Sequence, residues 1–127
     1  MIEKIIPAIL RPILGNRVYW DTTPNKLEKT PDGTQYLAFA IVQEVGDRNT
    51  MYLDKQLADK TYSRVQIVVV APDPIGRKIL ATQILTAMVF SAYQVEVYDG
   101  SVGGYDDSRQ LFSRTQQFGI WFDRPIA

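Results

Sequence analysis

The chain has 127 residues, of which 46% are hydrophobic and 22% are charged, a composition typical of one globular domain that buries a core. Its 14 basic and 14 acidic residues cancel in formal charge, so no overall field attracts the chain to nucleic acid or to an anionic membrane. The absence of cysteine and histidine excludes disulfides, thiolate nucleophiles, Cys-type zinc sites and imidazole acid–base chemistry within it. We therefore expect a single domain over residues 1–127.

The first fifteen residues predict a short amphipathic helix that packs on a sheet. Apolar residues recur there at helical spacing, at Ile2, Ile5, Ile6, Ile9, Leu10 and Ile13. Pro12 is expected to end or kink this helix, and Gly15 to close it. No apolar run approaches the roughly 20 residues of a membrane span, and prolines interrupt the pattern of a secretory signal, so we expect a soluble start to the chain.

Two strands and two polar connections are predicted next. Residues 17–20 are aromatic and β-branched, and residues 36–45 carry apolar side chains on both faces, so we expect the second strand to be covered on both sides. The polar segment 21–35 contains the turn sequence Pro31-Asp32-Gly33. We expect a turn at Gly46–Asn49, a minor strand at Met51–Leu53, and a helical turn or a loop over residues 54–60.

The chain is organised around a strand-to-helix corner within Tyr62–Ala92. Residues 65–69 place apolar side chains at a period of two, which predicts a strand. Pro72 cannot donate to a strand ladder and ends this strand. Asp73 offers an N-cap acceptor and Pro74 suits the first helical position, so a long helix is expected to follow directly.

This long helix is predicted to be apolar on two opposite faces. One broad stripe is expected to press on the sheet, and it consists of Leu80, Ala81, Ile84, Leu85, Ala87 and Met88. The opposite side carries Ile75, Ile79, Val89 and Phe90. Because this second face is too apolar to be left in water, we expect it to meet either the N-terminal helix or another copy of the chain.

Two further strands complete the predicted fold. Residues 94–98 and 111–123 alternate at a period of two, and the glycine-rich, acidic segment Asp99–Arg109 is expected to be a long hairpin loop. The order of elements predicts an α+β fold. We expect a mostly antiparallel sheet of four to five strands with two helices packed on one face.

No arrangement of residues predicts catalysis, and we expect no cofactor and no metal. Asp106 and Asp107 are the acidic groups nearest together, and Asp99 lies at the other end of the same loop, but these residues lack the spacing of a calcium loop. Glu44 and Glu96 would serve as a glycosidase pair only if the fold brought them together, which their spacing does not support.

A surface on which nucleic-acid bases stack is a weaker alternative. The aromatic candidates are Tyr19, Trp20, Tyr36, Tyr62, Tyr105 and Trp121, beside Arg64 and Arg114. The aromatic pattern of RNA-binding sheets is missing. The glycines within residues 100–104 lead into a strand without a lysine, so they indicate a flexible hairpin tip rather than a phosphate-binding loop.

Several stretches taken together resemble the small tail-completion or tail-terminator proteins of long-tailed bacteriophages and their prophage relatives. The N-terminal helix is followed by Asn16–Tyr19 and Pro24, and then by the strand sequence YLAFAIVQEVGD at 36–47. Tyr62–Ile67 leads to the long helix, and the acidic loop Tyr105–Asp107 runs into LFSRTQQFGIWF at 111–122. The order and spacing of these pieces carry the resemblance over nearly the whole chain, and segments 21–35 and 48–60 fit it least well.

This resemblance implies a structural protein of the virion, not an enzyme. Members of the family assemble into rings, commonly hexameric, at the head-proximal end of the tail tube, where they stop tube growth and join the head connector. The implied partners are other copies of the chain, the tail tube protein and head–tail connector proteins, with no membrane and no specific nucleic acid. The candidate contact residues are Asp47, Arg48, Asn49, Ile75, Ile79, Phe90, Tyr105, Asp106, Asp107 and Arg109. The alternative hypothesis is a small α+β nucleic-acid-binding or regulatory module.

Overall fold

The computed structural model describes residues 2–21, 28–33, 36–51, 57–106 and 110–123. Within these ranges the elements in chain order are α1 (Ile2–Leu14), β1 (Val18–Trp20), β2 (Phe39–Met51), β3 (Leu57–Ala71), α2 (Pro74–Val89), β4 (Gln94–Asp106) and β5 (Leu111–Asp123). The strands form one sheet in the order β1-β2-β3-β5-β4, antiparallel except for the parallel pair β1–β2. The predicted α+β class and the mostly antiparallel five-stranded sheet are confirmed.

Both helices pack on the same face of this sheet, as predicted. The main core lies between the two layers, and its fully buried members include Ile6 and Leu10 of α1, Ile84 of α2, Ile67 of β3 and Phe118 of β5. Val65, Ile67 and Val69 all point into this core, because alternate residues of a strand face the same side. The opposite side of the sheet, which carries neither helix, is called the open face below.

The predicted corner after the central strand is confirmed. β3 ends at Ala71, and α2 begins at Pro74. The side chain of Asp73 accepts a hydrogen bond from the backbone N–H of Gly76 at 2.5 Å, which satisfies one of the otherwise unpaired donors at the helix start. This cap fixes the point at which α2 turns back over the sheet.

The N-terminal helix continues through both of its prolines to Leu14. Of the two outcomes expected at Pro12, an end or a kink of the helix, the end is therefore wrong. A proline frees the carbonyl four residues earlier, and those carbonyls belong to Glu3 and Ala8, which are exposed and accessible to water. Burial of the apolar side of the helix outweighs this local cost. Gly15 closes the helix as predicted: its φ is 60°, and its N–H donates to the Arg11 carbonyl at 2.8 Å.

The second strand is covered on both faces at its start, as predicted. Ala40 and Val42 are buried in the main core, and Phe39 lies in a second apolar cluster on the open face with Val70 and Leu111. β2 begins at Phe39, three residues later than expected. The turn at Thr30–Gly33 is present, with the Gly33 N–H donating to the Thr30 carbonyl at 2.8 Å.

Two segments predicted as turns or loops are strands instead. β2 runs through Gly46–Asn49, which pairs with β3, and Leu57–Lys60 belongs to β3 rather than to a helical turn or loop. Met51 ends β2, and residues 52–56 lie outside the described residues. Residues that favour turns can still form a strand when a neighbouring strand pairs with them. Strand formation depends on such partners, which the local sequence does not reveal.

The predicted hairpin loop Asp99–Arg109 is also wrong over most of its length. β4 extends to Asp106, and its second half pairs with β5, for example Gly103 with Arg114. A shift of register between Tyr98 and Val102 absorbs the irregular sequence in between. Residues 107–109 lie outside the described residues.

Candidate interaction surfaces

The side of α2 that faces away from the sheet carries a row of exposed apolar residues. Their exposed fractions are 73% for Ile75, 54% for Ile79, 45% for Val89 and 82% for Phe90. These residues recur at helical spacing, and Thr82 and Thr86 lie between them on the same side. We call Ile75, Ile79, Val89 and Phe90 the α2 stripe; it is the second apolar face that the sequence predicts.

The side of α2 opposite the stripe packs in the core, so the stripe itself faces away from the sheet. Leu80, Ala81, Ile84 and Met88 are buried against the sheet and α1, on the side of the helix opposite the stripe. The stripe residues are exposed, so the first of the two predicted coverings, the N-terminal helix, is wrong. The second, another copy of the chain, stays a prediction.

The charged residues of α2 are both basic, Arg77 and Lys78. Arg77 reaches the sheet: its guanidinium lies 5.7 Å from the centre of the Phe112 ring, and its Nη1 donates to the Ser113 carbonyl at 3.2 Å. Tyr105 stacks on the same Phe112 ring with centroids 4.7 Å apart. Lys78 is exposed beside the stripe, so the free face of α2 is apolar with positive charge.

A groove of about 370 Å³ crosses one end of the open face. It is lined by residues of β2, β3, β4 and β5, namely Phe39, Ile41, Val70, Gly104, Tyr105, Asp106, Leu111 and Ser113. Phe39, Val70 and Leu111 are buried beneath it and form an apolar floor. Asp106 is the one charged residue among those that line the groove.

A row of amides crosses the middle of the open face. Gln66 Nε2 lies 3.4 Å from Gln43 Oε1, and Gln117 Nε2 lies 3.4 Å from Gln66 Oε1. Arg64 Nη2 donates to Gln117 Oε1 at 2.6 Å, which continues the row. These bonds tie three strands together through side chains, and each residue is only half-buried.

Aromatic rings occupy the other end of the open face. Tyr62 and Trp121 lie 4.8 Å apart between ring centroids, and the Arg64 guanidinium lies 4.2 Å from the centre of the Tyr98 ring. The Tyr62 and Tyr98 hydroxyls are in contact, and the Tyr62 hydroxyl donates to Glu96 Oε2 at 3.3 Å. The cation and the rings therefore contact one another, which leaves fewer ring faces for a stacked base.

The structure thus assembles only part of the predicted base-stacking set. Tyr62, Trp121 and Arg64 come together, whereas Tyr19 packs on Phe39 and Trp20 packs against the main core. Sequence reasoning missed the fourth member of this cluster, Tyr98. Its position in the alternating strand 94–98 was the available signal, since it shares a face with Glu96.

The acidic residues considered for chemistry are separated by the sheet. Glu44 pairs with Val65 and accepts a hydrogen bond from buried Ser63 at 2.7 Å on the helix side, whereas Glu96 lies on the open face. The two carboxylates therefore do not form a catalytic pair. Among the described residues, no three Asp or Glu side chains are grouped so as to hold a metal ion. No helix in the described part of the chain is long and apolar enough to span a membrane.

Those predicted contact residues that the structure describes fall into three groups. Ile75, Ile79 and Phe90 share the α2 stripe, and Tyr105 and Asp106 lie at the groove. Asp47, Arg48 and Asn49 lie in β2 opposite β3 rather than in a turn, and only their backbone is described. Asp107 and Arg109 lie outside the described residues. Sequence reasoning missed the apolar floor of the groove as a surface.

No protein-family model matches the sequence, and no curated protein shows significant similarity to it.

Proposed function

We propose that this chain is a structural protein that works by binding copies of itself. The observation that carries the proposal is the α2 stripe, because a row of apolar side chains as exposed as Ile75 and Phe90 is costly to leave in water. The stripe lies on a rigid helix whose other side is held by the core. A surface of this kind suits a permanent protein contact better than it suits the binding of a small polar molecule.

Within that class, we propose a tail-completion or tail-terminator protein of a long-tailed bacteriophage. Such a protein forms a ring, commonly a hexamer, at the head-proximal end of the tail tube, terminates the tube and mediates head–tail joining. The order and spacing of sequence pieces described above supports this assignment, and the α+β fold is compatible with it. Its partners are then the tail tube protein and the connector proteins, its location is the virion, and it makes no covalent change in a substrate.

Assembly is tested by native mass spectrometry and light scattering on the purified chain and on the variants Ile79→Asp and Phe90→Asp. We expect a ring-sized oligomer for the parent chain and a loss of that oligomer in both variants, because a buried unpaired carboxylate opposes association. Val45→Asp is the matched control, since Val45 is 52% exposed and lies outside the stripe. An oligomer that survives both stripe variants contradicts the proposal.

The tail assignment has its own test, electron microscopy of particles produced without this chain. We expect unjoined heads beside tails of uncontrolled length. Normal particles rule the assignment out even if the purified chain forms a ring.

The alternative, a nucleic-acid-binding or regulatory module, is favoured by one observation, the cluster of Tyr62, Tyr98, Trp121 and Arg64 on the open face. It predicts salt-dependent binding of oligonucleotides that Trp121→Ala weakens. We rank it second, because the rings and the cation contact one another and the net formal charge is zero.

A further inference from the structure

We draw no further inference here: the strongest candidate, the outer edge of the long edge strand β4, pairs with no strand in the described part of the chain, and nothing in the structure shows what covers it.

Discussion

Two isoleucine-to-alanine changes on α2 separate its structural face from its interaction face. Ile84 is fully buried, and truncating such a side chain removes transfer energy and leaves a cavity, so Ile84→Ala should cost about 2–5 kcal/mol of unfolding free energy. Ile79 is 54% exposed, so about half of the roughly 1.5–3 kcal/mol gained by burying such a side chain is at stake in the monomer. Alanine has the higher helix propensity, which offsets about a few tenths of a kcal/mol. Ile79→Ala should therefore lower the unfolding free energy by about 0.5–1 kcal/mol.

The assay is urea and thermal unfolding followed by circular dichroism, at a concentration where light scattering shows a monomer. For a domain of this size the expected fall in Tm is roughly 8–20 °C for Ile84→Ala and about 2–4 °C for Ile79→Ala. Where the chain is oligomeric, Ile79→Ala should weaken association more than Ile84→Ala does. Because bound copies stabilise the fold by mass action, the apparent stability then also depends on this association. Equal destabilisation of the two monomers would refute the assignment of Ile79 to a free surface.

Three further changes test the described contacts. Gly119→Ala should cost about 1–3 kcal/mol in urea unfolding, because a Cβ there would lie 2.6 Å from Tyr62 Cζ, and Tyr62→Ala should abolish most of that cost. Asp73→Ala removes the cap on the Gly76 N–H and should lower the unfolding free energy by about 1 kcal/mol; an unchanged value contradicts the cap. Burial, together with a nearby carboxylate, raises the pKa of Tyr19 above its usual value near 10. The stabilisation that protonated Tyr19 gives the fold is therefore complete below pH 10 and is lost as pH rises through the folded-state pKa. Between about pH 9 and 11 the unfolding free energy of the Tyr19→Phe variant should therefore fall less than that of the parent chain. Parallel curves of unfolding free energy against pH for the two proteins would contradict this.

The elements that could be predicted from sequence are those decided by neighbouring residues. Pro72, Asp73 and Pro74 specify the end of one strand and the start of α2 through their own backbone chemistry, and the structure agrees. The long hairpins are different. Gly46–Asn49 are in a strand because they pair with residues 61–64 of β3, and Val102–Asp106 because they pair with residues 111–115 of β5. Their composition favours turns, and the pairing with β3 and β5 overrides it.

The α2 stripe and the groove differ in the same way. The apolar residues of an amphipathic helix recur at helical spacing, so a helix that is apolar on two sides shows both apolar surfaces in its sequence. The α2 stripe was therefore readable from the spacing of Ile75, Ile79 and Phe90. The groove was not, because its floor combines Phe39, Val70 and a residue of β5, whose contact depends on sheet register rather than on any local pattern.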